Sequence, residues 1–177
     1  MKQRLLPALA LLLLTQCKKA ETDPASALPP ETQTGANTFG CLLNGQPWTP
    51  SSNYGPANFR LTYDPTYAGG SLLIRAYQAD AHKVTQYIAI GGSPINRLGT
   101  YIITEALSST CGASYTYQDG SPCSDYSYYN YKPGFIMRGQ LTITRMDQIV
   151  SGTFGFILAQ TGCDTIKVTQ GRFDYKL

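Results

Sequence analysis

The chain has 177 residues, of which 42% are hydrophobic and 14% are charged, with 14 lysines and arginines against 11 aspartates and glutamates. This length corresponds to about one domain, and the low charge with abundant apolar residues argues against a disordered chain or a charged helical one. The formal charge of +3 also excludes a typical nucleic-acid-binding protein, because such proteins neutralise phosphates with many clustered lysines and arginines.

Residues 1–16 have the pattern of a signal peptide. Lys2 and Arg4 form a basic start, and a ten-residue apolar run from Leu5 to Leu14 follows. A helix of this length spans about half of a bilayer core, so the run is too short to cross a membrane. Without Lys2 and Arg4 the charge balance is 12 − 11, or +1.

The leader ends in Leu14-Thr15-Gln16-Cys17, which resembles the lipobox of bacterial lipoproteins. The resemblance implies that the leader is cut before Cys17, that this cysteine is acylated, and that the protein is anchored in the cell envelope, at the outer membrane. Two or more acyl chains anchor a protein firmly, since each buried CH₂ contributes about 0.8 kcal/mol. Gln16 stands where a small residue is usual, and the alternative is a soluble secreted protein cut near Cys17.

Residues 17–37 are predicted to be the lipidated cysteine and a flexible tether. This stretch contains three prolines and many small polar residues, without hydrophobic periodicity. Such a composition buries too little apolar surface to offset the entropy lost when a chain is ordered. We therefore expect a stalk that lifts the domain off the membrane.

Residues 38–177 are predicted to form one all-β globular domain. Apolar and polar residues alternate with a period of two in several segments, and Asn44-Gly45 is a strong hairpin signal. One buried face and one solvated face per strand is typical of antiparallel sheets. We expect an antiparallel β-sandwich or flattened barrel of about ten short strands with little helix. In the final segment, the alternation predicts that Phe173 is buried and that Arg172 and Asp174 lie on the exposed face, where they pair either with each other or across the sheet.

Four cysteines remain if Cys17 carries lipid, and an even number in an exported chain predicts two disulfides. Three connectivities are possible. We favour Cys111–Cys123, because the loop between them is rich in turn-forming residues, which leaves Cys41–Cys163. In the chain-entropy model these bonds contribute roughly 3 and 5 kcal/mol.

Both ends of the domain resemble a group of uncharacterised lipoproteins of Bacteroidota. The stretch 28–48 contains a short Pro/Gly tether, a first strand ending in Asn44-Gly45, and an aromatic residue, Trp48, after the turn. The stretches 141–156 and 164–176 resemble the same group. The resemblance implies an exported, lipid-anchored all-β domain of unknown function, and it supplies no catalytic residue.

The sequence offers little chemistry for an enzyme. His82 is the one histidine, no serine has a nucleophile-elbow context, and no glycine-rich phosphate loop follows a strand. Most of the domain's acids lie beside turn signals, so surface solubility explains them without a paired-carboxylate site. These acids are Asp64, Asp80, Glu105, Asp119, Asp125, Asp147, Asp164 and Asp174.

The sequence also lacks the spacing of common metal sites. No CxxC spacing suits zinc, and Asp119, Ser121 and Asp125 match no calcium-loop spacing. We therefore expect a non-catalytic domain without metal or cofactor.

Residues 111–131 form the predicted binding region, because they interleave tyrosines with serine and asparagine. The tyrosines are Tyr115, Tyr117, Tyr126, Tyr128, Tyr129 and Tyr131. Tyrosine offers a flat apolar face and a polar group at low entropic cost, which suits a glycan or protein partner. The alternative is that alternate tyrosines simply cover one face of a sheet. Two other functions remain open: a hydrolytic accessory enzyme acting on glycans, and a lipocalin-like carrier of an apolar ligand.

Overall fold

The computed structural model describes residues 23–51, 58–79, 85–105, 110–127 and 134–177. The predicted leader, Cys17 and His82 lie outside these ranges. The described ranges contain eleven strands and a 3-10 helix, Pro24–Ala27, and no helix in them is long and apolar enough to cross a membrane. The strands are β1 (Thr38–Leu43), β2 (Gln46–Trp48), β3 (Phe59–Asp64), β4 (Ser71–Ala79), β5 (Thr85–Gly92), β6 (Gly99–Thr104), β7 (Cys111–Tyr117), β8 (Asp125–Tyr126), β9 (Ile136–Met146), β10 (Ile149–Ala159) and β11 (Ile166–Lys176).

The strands form one curled, mixed sheet in the order β2-β1-β11-β10-β9-β6-β7-β5-β4-β3, with β8 paired to β7. The pairings are antiparallel except that of β6 with β7, which is parallel and consists of one residue pair, Ile103 with Cys111. This β6–β7 contact is a seam between two antiparallel halves of the sheet. The predicted all-β flattened barrel of about ten strands is confirmed.

Alternating side chains build the core as the sequence predicts. In β3, Phe59 and Leu61 are buried while Arg60 and Thr62 are exposed. The inner-face residues of the other strands join one apolar cluster that fills the space inside the curl. Asn44-Gly45 forms the β1–β2 turn with φ values of 49° and 82°, and positive φ at both positions is the requirement of a type I′ hairpin.

The two edges of the curled sheet approach each other. Phe39 of β1 lies against Phe59 of β3, with ring centroids 5.4 Å apart. Just beyond β2, the backbone N–H of Ser51 donates to the carbonyl of Tyr77 at 3.0 Å. The inner face is therefore closed off at both edges, which explains how a single sheet encloses its own core.

The described part of the predicted tether is folded against the domain. We call residues 28–36 the N-terminal strap. Leu28 is buried, and Pro29 lies so close to Gly40 that a Cβ at Gly40 would be 2.6 Å from Pro29 Cδ. The expectation of a flexible stalk through residue 37 was therefore wrong, because a few specific contacts order a segment whose average composition is that of a linker.

Asp174 holds the strap in place. Its carboxylate accepts hydrogen bonds from Thr32 Oγ1 at 2.7 Å, from the N–H of Thr34 and Gly35 at 2.9 Å, and from the N–H of Ala36 at 3.1 Å. Ser151 Oγ donates a further bond at 2.7 Å. The predicted exposure of Asp174 was therefore wrong, because the strap covers the outer face of β11 at this point.

Of the two pairings predicted for Arg172 and Asp174, the pairing with each other was wrong. Arg172 donates to the backbone carbonyls of Gln170 and Pro29. The carboxylate of Asp174 is hydrogen-bonded instead by the strap and by Ser151.

The structure contains a disulfide between Cys123 and Cys163, so the favoured connectivity was wrong. Cys123 lies before β8, and Cys163 lies in the β10–β11 turn. Cys41 and Cys111 remain thiols whose side chains belong to the core. Burial raises the pKa of each to about 12, so both stay protonated at neutral pH. Sequence spacing alone could not show that two cysteines point into the core.

Candidate ligand-binding groove

A groove of about 750 Å³ lies on the outer face of β4, β5, β7 and β8. Along β5, Tyr87, Ala89 and Gly91 line the groove while Ile88 is fully buried on the other face. The lining also includes residues of the core cluster, namely Ile90, Cys111, Ala113 and Met137. The groove is therefore a depression in the outer surface whose base meets the apolar core.

The floor of the groove is made by small residues that the strand register places side by side. Ala89 is paired with Ser114 and Gly91 with Gly112 across the β5–β7 ladder. A Cβ at Gly91 would be 2.1 Å from the carbonyl oxygen of Leu72, so this position cannot carry a side chain without moving β4. A Cβ at Gly112 would meet only the end of Met137, at 3.8 Å, and would otherwise point into the groove.

Aromatic and hydroxyl side chains line one end of the groove. Tyr77 and Tyr87 are directly opposite across β4 and β5, with ring centroids 5.0 Å apart. Tyr87 is paired in turn with Thr116, and Thr116 with Asp125 of β8. Partial burial and the neighbouring Tyr77 raise the pKa of Tyr87, while the Arg75 guanidinium acts in the opposite direction. Arg75 is thus close enough to act on the tyrosine electrostatically.

Arginine forms the wall next to this row. Arg75 is exposed, lines the groove and is paired with Ala89 of the floor. On its other side it lies directly opposite Arg60 of β3, which is also exposed. One row of outward residues across four strands is therefore Arg60, Arg75, Ala89 and Ser114, a cationic rim followed by a small polar floor.

The seam between β6 and β7 borders the far side of the groove. The lining residues here are Thr104 at the end of β6, Thr110 just before β7, and Met137 of β9. Because β6 covers so little of β7, the N–H of Ala113 donates to Met137 Sδ at 3.2 Å. The sulfur thus satisfies a donor that a longer parallel ladder would have paired with a carbonyl.

The predicted tyrosine cluster is not this site. Tyr115 and Tyr126 are buried on the inner face, and Tyr126 donates its hydroxyl hydrogen to the carbonyl of Asp164 at 2.6 Å. Burial, together with neighbouring Tyr117, Tyr126 and Asp119, raises the pKa of Tyr115 to about 12. These side chains cover a sheet face, which was the alternative interpretation, and Tyr117 packs partly buried against the core. Tyr128, Tyr129 and Tyr131 lie outside the described residues.

The predicted acids are dispersed. Asp64, Asp119 and Asp147 each accept a backbone N–H in a turn, from Thr66, Ser121 and Ile149 respectively. Hydrogen bonds lower the pKa of each carboxyl: the main cause is the Thr66 hydroxyl at Asp64, the backbone N–H of Ser121 at Asp119, and the Arg145 guanidinium at Asp147. Asp80 lies outside the described ranges. Within them, no three His, Cys, Asp or Glu side chains are grouped as metal ligands.

Sequence reasoning missed the groove because its residues are unremarkable one by one. Gly91, Gly112 and Arg75 are ordinary residues for a strand or turn when each is considered alone. What distinguishes the groove residues is that small residues alternate along two strands and that the pairing of these strands sets them side by side. The register of that pairing is not visible in a single sequence.

A protein family described as "Domain of unknown function (DUF6252)" matches residues 61–175. The match covers well over half of the chain, so the chain belongs to this family. The matched segment extends from β3 to β11 and includes every strand that forms the groove. No curated protein and no solved structure shows significant similarity to the chain.

Proposed function

We propose that this member of the DUF6252 family is an exported lipoprotein of the bacterial cell envelope whose β-domain binds a ligand without catalysing a reaction. The observation that carries the proposal is the outer-face groove, with its floor of Ala89, Gly91, Gly112 and Ser114. A concave site with a few convergent polar groups is the usual form of a ligand site. The lipobox at Leu14–Cys17 and the resemblance to Bacteroidota lipoproteins support the anchored location.

Binding is favoured over hydrolysis because of the charges in the groove. A glycosidase of the usual kind needs two carboxyl groups on opposite sides of the scissile bond. Among the described residues that line the groove, Asp125 is the one acid. Binding in the groove is also favoured over carriage of an apolar ligand inside the barrel, because buried side chains occupy the inner face of the described strands.

Filling the groove tests the binding proposal. Gly112→Val adds a β-branched side chain at a position where a Cβ has room and where strand geometry suits valine. We expect the full chain, purified from membranes in detergent, to bind one class of a glycan array of neutral and acidic oligosaccharides. Gly112→Val should keep the thermal unfolding midpoint and lose that binding.

Lys167→Gln provides the control, because Lys167 is an exposed cation on β11, away from the groove. This variant should bind like the parent protein, and micelles without protein should bind nothing. Absence of binding to every glycan, or binding that Gly112→Val leaves intact, would overturn the proposal.

The anchor is tested separately. Cys17→Ser removes the acylation site, so the protein should move from the membrane fraction to the soluble fraction or accumulate as an unprocessed precursor. Mass spectrometry of the parent protein should show an acylated Cys17 as its first residue. Unchanged membrane fractionation and processing in Cys17→Ser would contradict lipid anchoring without affecting the groove proposal.

A further inference from the structure

Two arginines stand directly opposite each other beside the groove, and one of them, Arg75, belongs to its lining. Arg60 of β3 and Arg75 of β4 are register partners, and both are exposed. Side chains at opposite positions of an antiparallel pair have Cβ atoms about 5 Å apart, and like charges there destabilise the sheet. A cross-strand Arg–Arg pair therefore needs an explanation other than stability.

No described acid neutralises this pair. Asp64 follows Arg60 by four residues on the same strand, a separation of about 13 Å at the rise of a strand, and accepts bonds from Thr66 and Tyr67. Asp125 is three strands from Arg75, about 14 Å away. Within the described ranges, neither arginine has an ion pair, and the ion pair found there joins Arg145 to Asp147.

We infer that the groove binds an acidic polysaccharide, with the carboxylate of a uronic acid unit held between Arg60 and Arg75. The inference rests on the proposed function and names its ligand class. Guanidinium groups bind carboxylates through paired, charge-assisted hydrogen bonds. A bound carboxylate also converts the repulsion between the two arginines into attraction to a shared anion.

The rest of the groove fits the sugar part of such a polymer. Tyr87 offers an aromatic ring beside Arg75, and amphipathic rings suit contact with a sugar face. Ser114 and Thr116 supply hydroxyls along the floor, and the absence of a side chain at Gly112 lets a ring approach the backbone. The lining thus combines a cationic end, an aromatic surface, neutral hydrogen-bonding groups and apolar side chains such as Leu73 and Met137.

An extended peptide fits less well. A peptide that adds to a sheet needs an open strand edge, whereas the floor lies on β5 and β7, and β5 is paired along both of its edges. A lipid tail would find apolar contacts at Leu73, Ile90 and Met137, but it would also bring its carbons against Arg75 and the hydroxyls of Ser114 and Thr116, so it fits less well than a ligand with polar groups. The chemistry of the lining favours a polyhydroxylated anion.

The test compares polymers that differ only in charge. Polygalacturonate, alginate and hyaluronate are each offered to the full chain in detergent alongside the same polymer with its carboxyl groups reduced to alcohols. We expect at least one acidic polymer to bind about tenfold or more tightly than its reduced form, which is the scale of one charge-assisted hydrogen-bonded contact. Binding should weaken as salt is raised.

Variants identify the groups responsible. Arg75→Gln and Arg60→Gln should each weaken binding of the acidic polymer by about tenfold and should weaken binding of its reduced form by a clearly smaller factor. Arg75→Lys keeps the charge without the paired geometry and should fall between. Because each glutamine variant removes a like-charge repulsion, its unfolding midpoint should equal or exceed that of the parent protein. Lys167→Gln should bind as the parent does.

The outcomes separate this inference from the proposed function. If the acidic and reduced polymers bind equally well, and Gly112→Val abolishes the binding of both, the inference of an acidic ligand is overturned. The proposal that the groove binds a ligand would stand. Preference for acidic polymers that Arg60→Gln and Arg75→Gln leave unchanged would also overturn the inference. Failure of all three acidic polymers to bind while a neutral glycan binds in the groove would do the same. Failure of every glycan would overturn both proposals.

Discussion

At the scale of single residues, Asp174 decides how the N-terminal strap is held. Burial by itself would raise the pKa of this carboxyl, but hydrogen bonds from Thr32, Ser151, Ala36 and Gly35 hold it well below its usual range. A buried charge is tolerated only when it is fully hydrogen-bonded. The residue is therefore the point at which the strap, β10 and β11 meet.

This predicts a specific dependence of stability on pH. The pKa of Asp174 is lower in the folded protein than the unfolded value of about 3.9. The unfolded chain then binds more protons, so the stability from Asp174 is fully present above about pH 5 and is lost as the pH falls toward the folded pKa. Asp174→Asn should lower the unfolding free energy at pH 7 by about 2–3 kcal/mol.

Urea unfolding at pH 7 and pH 4 measures this effect. The parent protein should lose stability between the two values, and Asp174→Asn should lose less over the same interval. Exposed Asp164→Asn serves as the control and should change stability by no more than about 0.5 kcal/mol. An identical pH slope in Asp174→Asn and the parent would contradict the role given to this carboxylate.

At the scale of strands, Gly91 and Gly112 look equivalent in the sequence but have different surroundings in the structure. Gly91 of β5 lies against the backbone of β4, whereas Gly112 of β7 faces the open groove. Gly91→Ala should lower the unfolding free energy by about 2 kcal/mol or more, because β4 and β5 must separate. Gly112→Ala should be neutral or stabilise by up to about 1 kcal/mol, because alanine restricts the unfolded chain.

Chemical unfolding of the two alanine variants side by side checks this difference. The prediction is that Gly91→Ala has the lower unfolding free energy of the two variants. It is wrong if Gly112→Ala is the more destabilised. Success would also show that the groove floor at Gly112 is not required by the fold, which leaves function as the reason for an open surface there.

The disulfide joins two connections that are distant in sequence. Cys123 and Cys163 are separated by 40 residues, and Tyr126 links the same two regions through its hydrogen bond to Asp164. In the chain-entropy model, a loop of this size contributes about 4 kcal/mol. Cys123→Ser combined with Cys163→Ser should therefore lower the unfolding free energy by up to that amount.

Reduction offers an independent check on the disulfide. Dithiothreitol should lower the urea midpoint of the parent protein to that of the double variant and should leave the double variant unchanged. A further loss in the double variant on reduction would indicate that Cys41 and Cys111 form a second bond, contrary to the structure.

At the scale of the whole molecule, the sequence predicted the features that depend on residues close together in the chain. The alternation in β3 and the turn at Asn44-Gly45 depend on neighbouring residues, and both were correct. The burial of Asp174 depends on a strap more than a hundred residues away in sequence. The groove depends on a register that sets Gly91 beside Gly112. Such long-range pairings carry no signal in one sequence, so the site could not be predicted from it.

The strap also makes a prediction at this scale. A protein that begins at Thr38 lacks every strap contact with Asp174 and leaves Gly40 uncovered, whereas one that begins at Asp23 keeps them. The shorter protein should melt at a lower temperature, and differential scanning calorimetry measures the shift. Equal melting temperatures would mean that the strap contacts contribute nothing to the stability of the domain. Adding Asp174→Asn should destabilise the longer protein more than the shorter one.

The pairing of β1 with β11 has a consequence for when the domain forms. The first strand lies between β2 and the last strand, and Thr32 is 142 residues from its partner Asp174. Contacts so distant in sequence make folding slow, because loop closure must precede their gain. If the protein is exported N-terminus first, as proposed, β1 crosses the membrane before its partner β11 does. The sheet then cannot close until translocation is nearly complete, so these pairings would not oppose the passage of the chain.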